Sequence, residues 1–428
     1  MPETAYYAVV RELSDRLVDA QKGIRILDAV KWDDSVRAAF FAAKARQLPQ
    51  VTVEIYAANP LGFDVPATRA VFRSLERDIT SRLGRANPAG ALMNRMVQEY
   101  LTVLDMLEAR GTPAFSGLAQ QLYGRADDAF HAGGPALADL AGLLGEGLGT
   151  IDESLLLDEA PKNIPTERAV GILQERLDRV FNDPAASVRV CVSDGILADA
   201  AAGADYIKLR QDAMFSERDL RVLEVHEGWV HVGTTLNGRA QPYCTFLSKG
   251  TPSTTITQEG LAVLVEIISL RSHPHRLRRI TDRIRAIAMA ENGADFLEVY
   301  RALLANGRDP ETAYATCVRV FRGSLPNSGP FTKDLAYSRG FVLIYNFIRL
   351  AVRRGLLSRI PLLFCGKLTL EDLGTLSELV EQGLVERPRY LPPPVADMNA
   401  LTAWMAYSNF MNRLNLAQIE SDFSRLLA

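Results

Sequence analysis

The sequence predicts an α+β protein that is mainly helical. Apolar residues recur at helical spacing through most of the first 160 residues and almost everywhere beyond Thr257. Between these stretches lie two short runs rich in β-branched and apolar residues. The composition is that of an ordinary globular protein, 48% hydrophobic and 23% charged over 428 residues. It excludes a disordered, collagen-like or disulfide-dense chain. A length of this order suits two or three domains.

Helical periodicity marks residues 3–20, 66–84 and 91–109, with a short β-like run at Val51–Tyr56 among them. Residues 133–163 are rich in Gly, Ala and Leu and end in Glu-Ala-Pro-Lys-Asn-Ile-Pro, which reads as a loose helix followed by a boundary. The expected division is therefore an N-terminal helical lobe, 1–160, and a second domain, 161–428. A helix is expected from Thr166, with Pro165 and Glu167 as its start signals. The β-like runs are Val188–Ser193 and Tyr206–Gln211. Ser216 through Asp219 then form a capping box, opening a helix expected to stop at Asn237-Gly238. From Thr257 the pattern is helical except at Pro361–Phe364 and the prolines at 392–394.

Charge and cysteine usage narrow the function classes. A net charge of −3 excludes polyanion binding by bulk charge, so no nucleic-acid partner is expected. Residues 271–359 carry 16 Lys/Arg against 7 Asp/Glu, which suits either solvated helix faces or a surface for an acidic partner or substrate carboxylate. Cys191, Cys244, Cys317 and Cys365 show no CxxC spacing and read as buried thiols of a reducing, cytoplasmic compartment. The acidic N-terminus lacks the apolar run of a signal peptide. The longest apolar stretch, Phe341–Val352, contains Asn346 and Arg349 and is too short to span a bilayer, so no membrane partner is expected.

Two of the five histidines bracket a glutamate in the capped helix: His226-Glu227-Gly228-Trp229-Val230-His231. This HExxxH string is one residue longer than the common zinc-peptidase motif. On a regular α-helix, positions five apart differ by roughly 140° and cannot share a metal. A π-type turn brings them onto one face, and Gly228 tolerates the distortion, so a π-bulge is expected between His226 and His231. The segment Thr257-Gln258-Glu259-Gly260-Leu261-Ala262 then opens a second apolar helix. A His₂Glu zinc site takes its third ligand from such a helix and leaves a fourth position for water. Glu259 fits this layout, and Glu266 is the reserve candidate. His273 and His275 flank Pro274 without an acidic neighbour, and His131 precedes Gly133-Gly134; all three read as loop residues.

The segments LEVHEGWVHVGTTLNG and ITQEGLA resemble those of the QEGLA-motif family, whose bacterial members are labelled flavohaemoglobin expression-modulating. Its eukaryotic relatives are the microtubule-associated tyrosine carboxypeptidases, zinc enzymes that remove a C-terminal tyrosine. ARGTPAFSGLAQQLYG, VFRGS and PFTKDLAYSRGF extend the resemblance over about residues 25–385. The chain departs from the eukaryotic pattern at Gly228-Trp229-Val230. The resemblance implies a zincin fold of gluzincin type, with a small sheet beside the HExxxH helix. It implies Zn²⁺ held by His226, His231 and Glu259, with Glu227 as the general base acting on zinc-bound water. The implied activity is a metallocarboxypeptidase acting on a peptide or protein C-terminal tail, with a leaning towards an aromatic residue.

Such chemistry needs a second electrophile for the oxyanion and a cation for the terminal carboxylate. Tyr337 is the candidate for the first, and Arg322 or Lys333 for the second. Glu224, Asn237 and Asp205 are candidate acceptors for the imidazole N–H groups. Either β-like run is a candidate edge for holding an extended peptide. The alternative is a regulatory protein that binds zinc or a peptide without cleaving it. The presence of Glu227 argues against this, because a structural zinc site needs no base.

Overall fold

The computed structural model describes residues 3–151, 161–183, 186–194, 196 and 198–424. Up to Gly149 the chain is helical: α1 (Glu3–Ala20), α2 (Ile26–Ala29), α3 (Asp34–Ala42), α4 (Val53–Ala58), α5 (Val65–Leu83), α6 (Pro88–Glu108), α7 (Pro113–Tyr123) and α8 (Leu137–Gly149). The β-like run at Val51–Tyr56 is therefore corrected to the start of a short helix. Its Tyr56 is buried, with the hydroxyl accepting from Trp32 Nε1 and donating to the Ser324 carbonyl. Long-range packing overrides the local strand preference there.

The middle of the chain carries β1 (Ile164–Pro165), α9 (Thr166–Asp178), β2 (Arg189–Ser193), β3 (Ala200–Ala202), β4 (Tyr206–Arg210) and β5 (Met214–Phe215). Strands β2, β4 and β3 form one sheet in that order. β2 runs parallel to β4, and β3 runs antiparallel to it. In β4, Ile207 and Leu209 turn inward and meet Leu173 and Leu177 of α9, while flanking residues stay partly exposed. Strands β1 and β5 pair separately. The predicted capping box forms: Asp219 N donates to Ser216 Oγ, and Ser216 N donates to Asp219 Oδ2. It opens α10 (Glu217–Leu223), which continues through a π-helical segment, Glu224–Val232, into α11 (Gly233–Arg239). The predicted stop at Gly238 is not a left-handed cap. A Cβ there would meet the Leu247 carbonyl oxygen at 2.3 Å, so the glycine serves close packing.

The remaining helices are α12 (Pro252–Ile268), α13 (Pro274–Glu291), α14 (Phe296–Ala305), α15 (Pro310–Phe321), α16 (Ala336–Arg353), α17 (Leu373–Glu381), α18 (Pro393–Ala396), α19 (Met398–Met411) and α20 (Leu416–Asp422). The prolines at 392–394 thus open a helical turn, where a missing N–H is no loss. His275 lies in the first turn of α13, which corrects its reading as a loop residue, whereas His273 precedes the helix in extended backbone as expected. His131 does lie in a loop. Cys191 is exposed on β2, whereas the other three cysteines are buried as expected.

The largest core joins Leu13 and Tyr100 to Phe246, Leu261, Leu363 and Leu376, so it runs across residue 160. Within it, α12 crosses α16 with Gly260 against Gly340. A Cβ at Gly260 would fall 2.1 Å from the Gly340 carbonyl carbon. Thr332–Arg353, which includes α16, is long and apolar enough to cross a membrane by length and composition. This corrects the expectation that no stretch is, since the helical run begins nine residues before Phe341. Its inward face packs on α12, and its first turns carry site residues.

Candidate metal centre

The π-helical segment spans Glu224–Val232, so the wider turn predicted from the spacing is present. It brings the His226 and His231 rings to 4.7 Å, edge to face. A Cβ at Gly228 would lie 2.4 Å from Leu177 Cδ2, so any larger residue there would have to displace the end of that leucine. Helix α12 presents Glu259 opposite. One donor atom from each of His226, His231 and Glu259 lies within 4.8 Å of the others. Glu259 Oε2 sits 3.2 Å from His226 Nε2 and 3.6 Å from His231 Nε2. Neither approach has hydrogen-bond geometry, so this buried oxygen has no donor. An orphaned carboxylate oxygen facing two imidazole nitrogens is the donor set of a His₂Glu ion site.

The surroundings support that set. Glu266 is fully buried and accepts from His226 Nδ1 at 2.6 Å. Its oxygens also take Arg276, Nε at 3.0 Å and Nη2 at 2.7 Å. Glu266 thus orients the His226 imidazole and is not among the three groups that converge. The other candidates for that role do not face the rings. Asn237 is buried and donates to the Phe364 and Tyr390 carbonyls. Asp205 pairs with Arg239, and Glu224 lies 3.8 Å from Arg176. Lys367, unmarked by any local sequence signal, donates to the His231 carbonyl at 3.0 Å and to Gln258 Oε1 at 2.8 Å. It thereby ties the two ligand-bearing helices together.

Electrostatics follow from burial and these partners. Burial alone would lower the His226 pKa, but Glu259 and Glu266 outweigh it and raise it to about 10. His231 is held below its ordinary value, first by burial and then by the charge on His226. Burial works against the Glu259 carboxylate, yet Lys333 and the imidazoles keep its pKa well below the usual range. Burial likewise opposes Glu266, and Arg276 and His226 bring it down to about 2. Burial pushes the Lys367 amine down to about 8.

Glu227 follows His226 directly, and its Oε2 accepts from Ala202 N at 2.9 Å. The edge strand beside the site is therefore β3, which sequence reading missed because Ala200–Ala202 carries no β-branched residue. The predicted run at Tyr206–Gln211 is the central strand and has no open edge, while Val188–Ser193 is the far edge. Lys333 Nζ lies 3.4 Å from Glu259 Oε1. The Tyr337 ring stacks beside His226, with centroids 6.2 Å apart. Arg322 is 3% exposed and lies over the Phe331 ring. The VFRGS turn aims it inward: Gly323 has φ +86°, donates to Tyr56 Oη and accepts from Gly111 N.

Residues 38–413 match the family described as microtubule-associated tyrosine carboxypeptidase. No curated protein matches. Among solved structures, the chain is similar to that of a protein described as a lipoprotein from Colwellia psychrerythraea. The two share 14% identity, with 91% of this chain and 69% of that chain covered and a TM-score of 0.39. With the match spanning most of its length, the chain belongs to the family of microtubule-associated tyrosine carboxypeptidases.

Proposed function

We propose that the protein is a zinc-dependent metallocarboxypeptidase of gluzincin type. The convergence of His226, His231 and Glu259 beside Glu227 carries this reading. A zinc ion, when bound, lowers the pKa of water towards neutrality and polarises a carbonyl. The residues supply the rest. Ala202 N fixes one oxygen of Glu227, leaving the other to take a proton from the attacking water and pass it to the leaving amine. The Tyr337 hydroxyl donates to the oxyanion as the carbonyl becomes tetrahedral. Lys333 is 15% exposed and close to Glu259, and it takes the terminal carboxylate of the substrate. Arg322, the other candidate for that role, is 3% exposed and lies over the Phe331 ring, so Lys333 is the more open of the two. The outward N–H of Ala202 points at Glu227, so a peptide lying along the β3 edge passes the base.

The substrate is a peptide or protein C-terminal tail, and the leaning towards a terminal tyrosine rests on the family. The test is mass spectrometry of a mixed peptide library after incubation with zinc-loaded protein, with Glu227→Gln as control. Loss of single C-terminal residues, absent in the control, is expected. Internal cuts would make the enzyme an endopeptidase. No cleavage together with full zinc loading would favour a binding-only protein.

A further inference from the structure

Behind the metal centre lies a buried cluster whose charges do not balance. Arg283, Arg319 and Arg322 surround one carboxylate, Asp334. Arg319 takes both Asp334 oxygens, at 2.5 and 3.0 Å. Arg283 comes only to 3.6 Å from Oδ2, and Arg322 has no ion pair among the described residues. The nearby acids are committed elsewhere, Glu259 to Lys333 and Glu266 to Arg276. Three guanidinium groups thus share one carboxylate, an excess of two positive charges on side chains of which Arg283, Arg322 and Asp334 are buried and Arg319 is 20% exposed.

Ring faces offset part of this: Arg283 lies 5.1 Å over Tyr337 and Arg322 lies 5.8 Å over Phe331. They leave specific N–H groups unmet. Arg283 Nη1 and Arg322 Nε are buried without an acceptor. So are the hydroxyls of Ser324, two residues after Arg322, and Thr332, next to the ring that Arg322 covers. Buried charges are normally paired, and buried donors normally bonded. Burial first, then repulsion from Arg319, lowers the proton affinity of both arginines, to a pKa of about 10.

We propose that Arg283 and Arg322, with the hydroxyls of Ser324 and Thr332, hold a small inorganic monoanion of halide size. It is resident in the fold whether or not substrate is bound. None of the four donor atoms is open to solvent, which suits a compact ion and not a peptide terminus. Its charge offsets the excess and fixes Arg283 over Tyr337, the ring that stacks beside His226.

The test uses the full chain in sodium gluconate, titrated with chloride and then bromide at constant ionic strength, with a chelator excluding halide bound through a metal. A saturating rise of about 2 °C in the unfolding midpoint is expected. The rise should be equal in Glu227→Gln and absent in Arg322→Gln. If that variant does not fold, Thr332→Val, which keeps both arginines, should weaken halide affinity severalfold. Crystals grown with bromide should show an anomalous peak between Arg283 and Arg322. A midpoint that follows ionic strength alone, the same in gluconate and chloride, overturns the proposal. So does a rise produced only by peptides with a free C-terminal carboxylate, which would assign the arginines to substrate.

Discussion

Glu266 meets His226 in a contact that would govern metal uptake at the proposed centre. With two carboxylates facing it, the His226 imidazole stays protonated up to about 10 in the metal-free protein. A metal ion must displace that proton. Uptake near pH 7.5 should therefore release about one proton per ion, read as the dependence of binding heat on buffer ionisation. A buffer-independent heat would mean that His226 is already neutral. Arg276, with the same contact, sets acid stability. The folded pKa of Glu266, about 2, lies below its ordinary 4.5, so its stabilisation is present above pH 4.5 and lost as pH falls through 2. Glu266→Gln should remove about 3 kcal/mol of that acid limb, measured by urea unfolding from pH 5 to 2. If Glu227 is the base proposed above, Glu227→Gln should retain metal and lose about 10³-fold in turnover, and an active variant would remove Glu227 from the role. Lys367→Met, which frees the His231 carbonyl, should weaken metal binding about tenfold with little change in KM.

At the scale of elements, the crossing of α12 and α16 explains the glycine in QEGLA. Helix α12 carries Glu259, the start of α16 carries Tyr337, and Lys333 lies just before it. Their spacing depends on Gly260 and Gly340 meeting backbone to backbone. Gly260→Ala should cost about 3 kcal/mol in chemical denaturation and lower metal affinity in parallel, because the helices must separate. Near-wild-type stability would show that the crossing gives way easily. Such elements also show what the sequence made legible. The π turn and the capping box follow from spacing within one helix, and both are read from neighbouring residues. The edge strand β3 escapes because three alanines have no strand signature, and Val51–Tyr56 misleads because Tyr56 is claimed by Trp32 and Ser324. Lys367 lies 109 positions from the glutamine it holds, and no local pattern can report that pairing.

For the whole molecule, the governing fact is the core shared across residue 160. Ser14 Oγ on α1 accepts from Phe246 N, and Tyr100 on α6 donates to the Gly250 carbonyl just before α12. The N-terminal helices therefore form the floor on which the QEGLA helix rests. Residues 161–428 expressed alone should lack a cooperative thermal transition, since Phe246, Leu261 and Leu363 would lose their packing partners. A sharp melt of that fragment would show that the second half stands alone. The π-helical turn acts at this scale too. Its extra residue shifts the phase of everything downstream. Helix α11 leaves the turn rotated relative to an uninterrupted α-helix, and that rotation aims Asn237 at the strap near Tyr390 and Thr234 at Gln258. Deleting one residue between the histidines would restore the common peptidase spacing on paper, yet swing α11 by about 100° and unseat the strap. The long spacing is thus a gear setting between metal and scaffold, and neither side can change it alone.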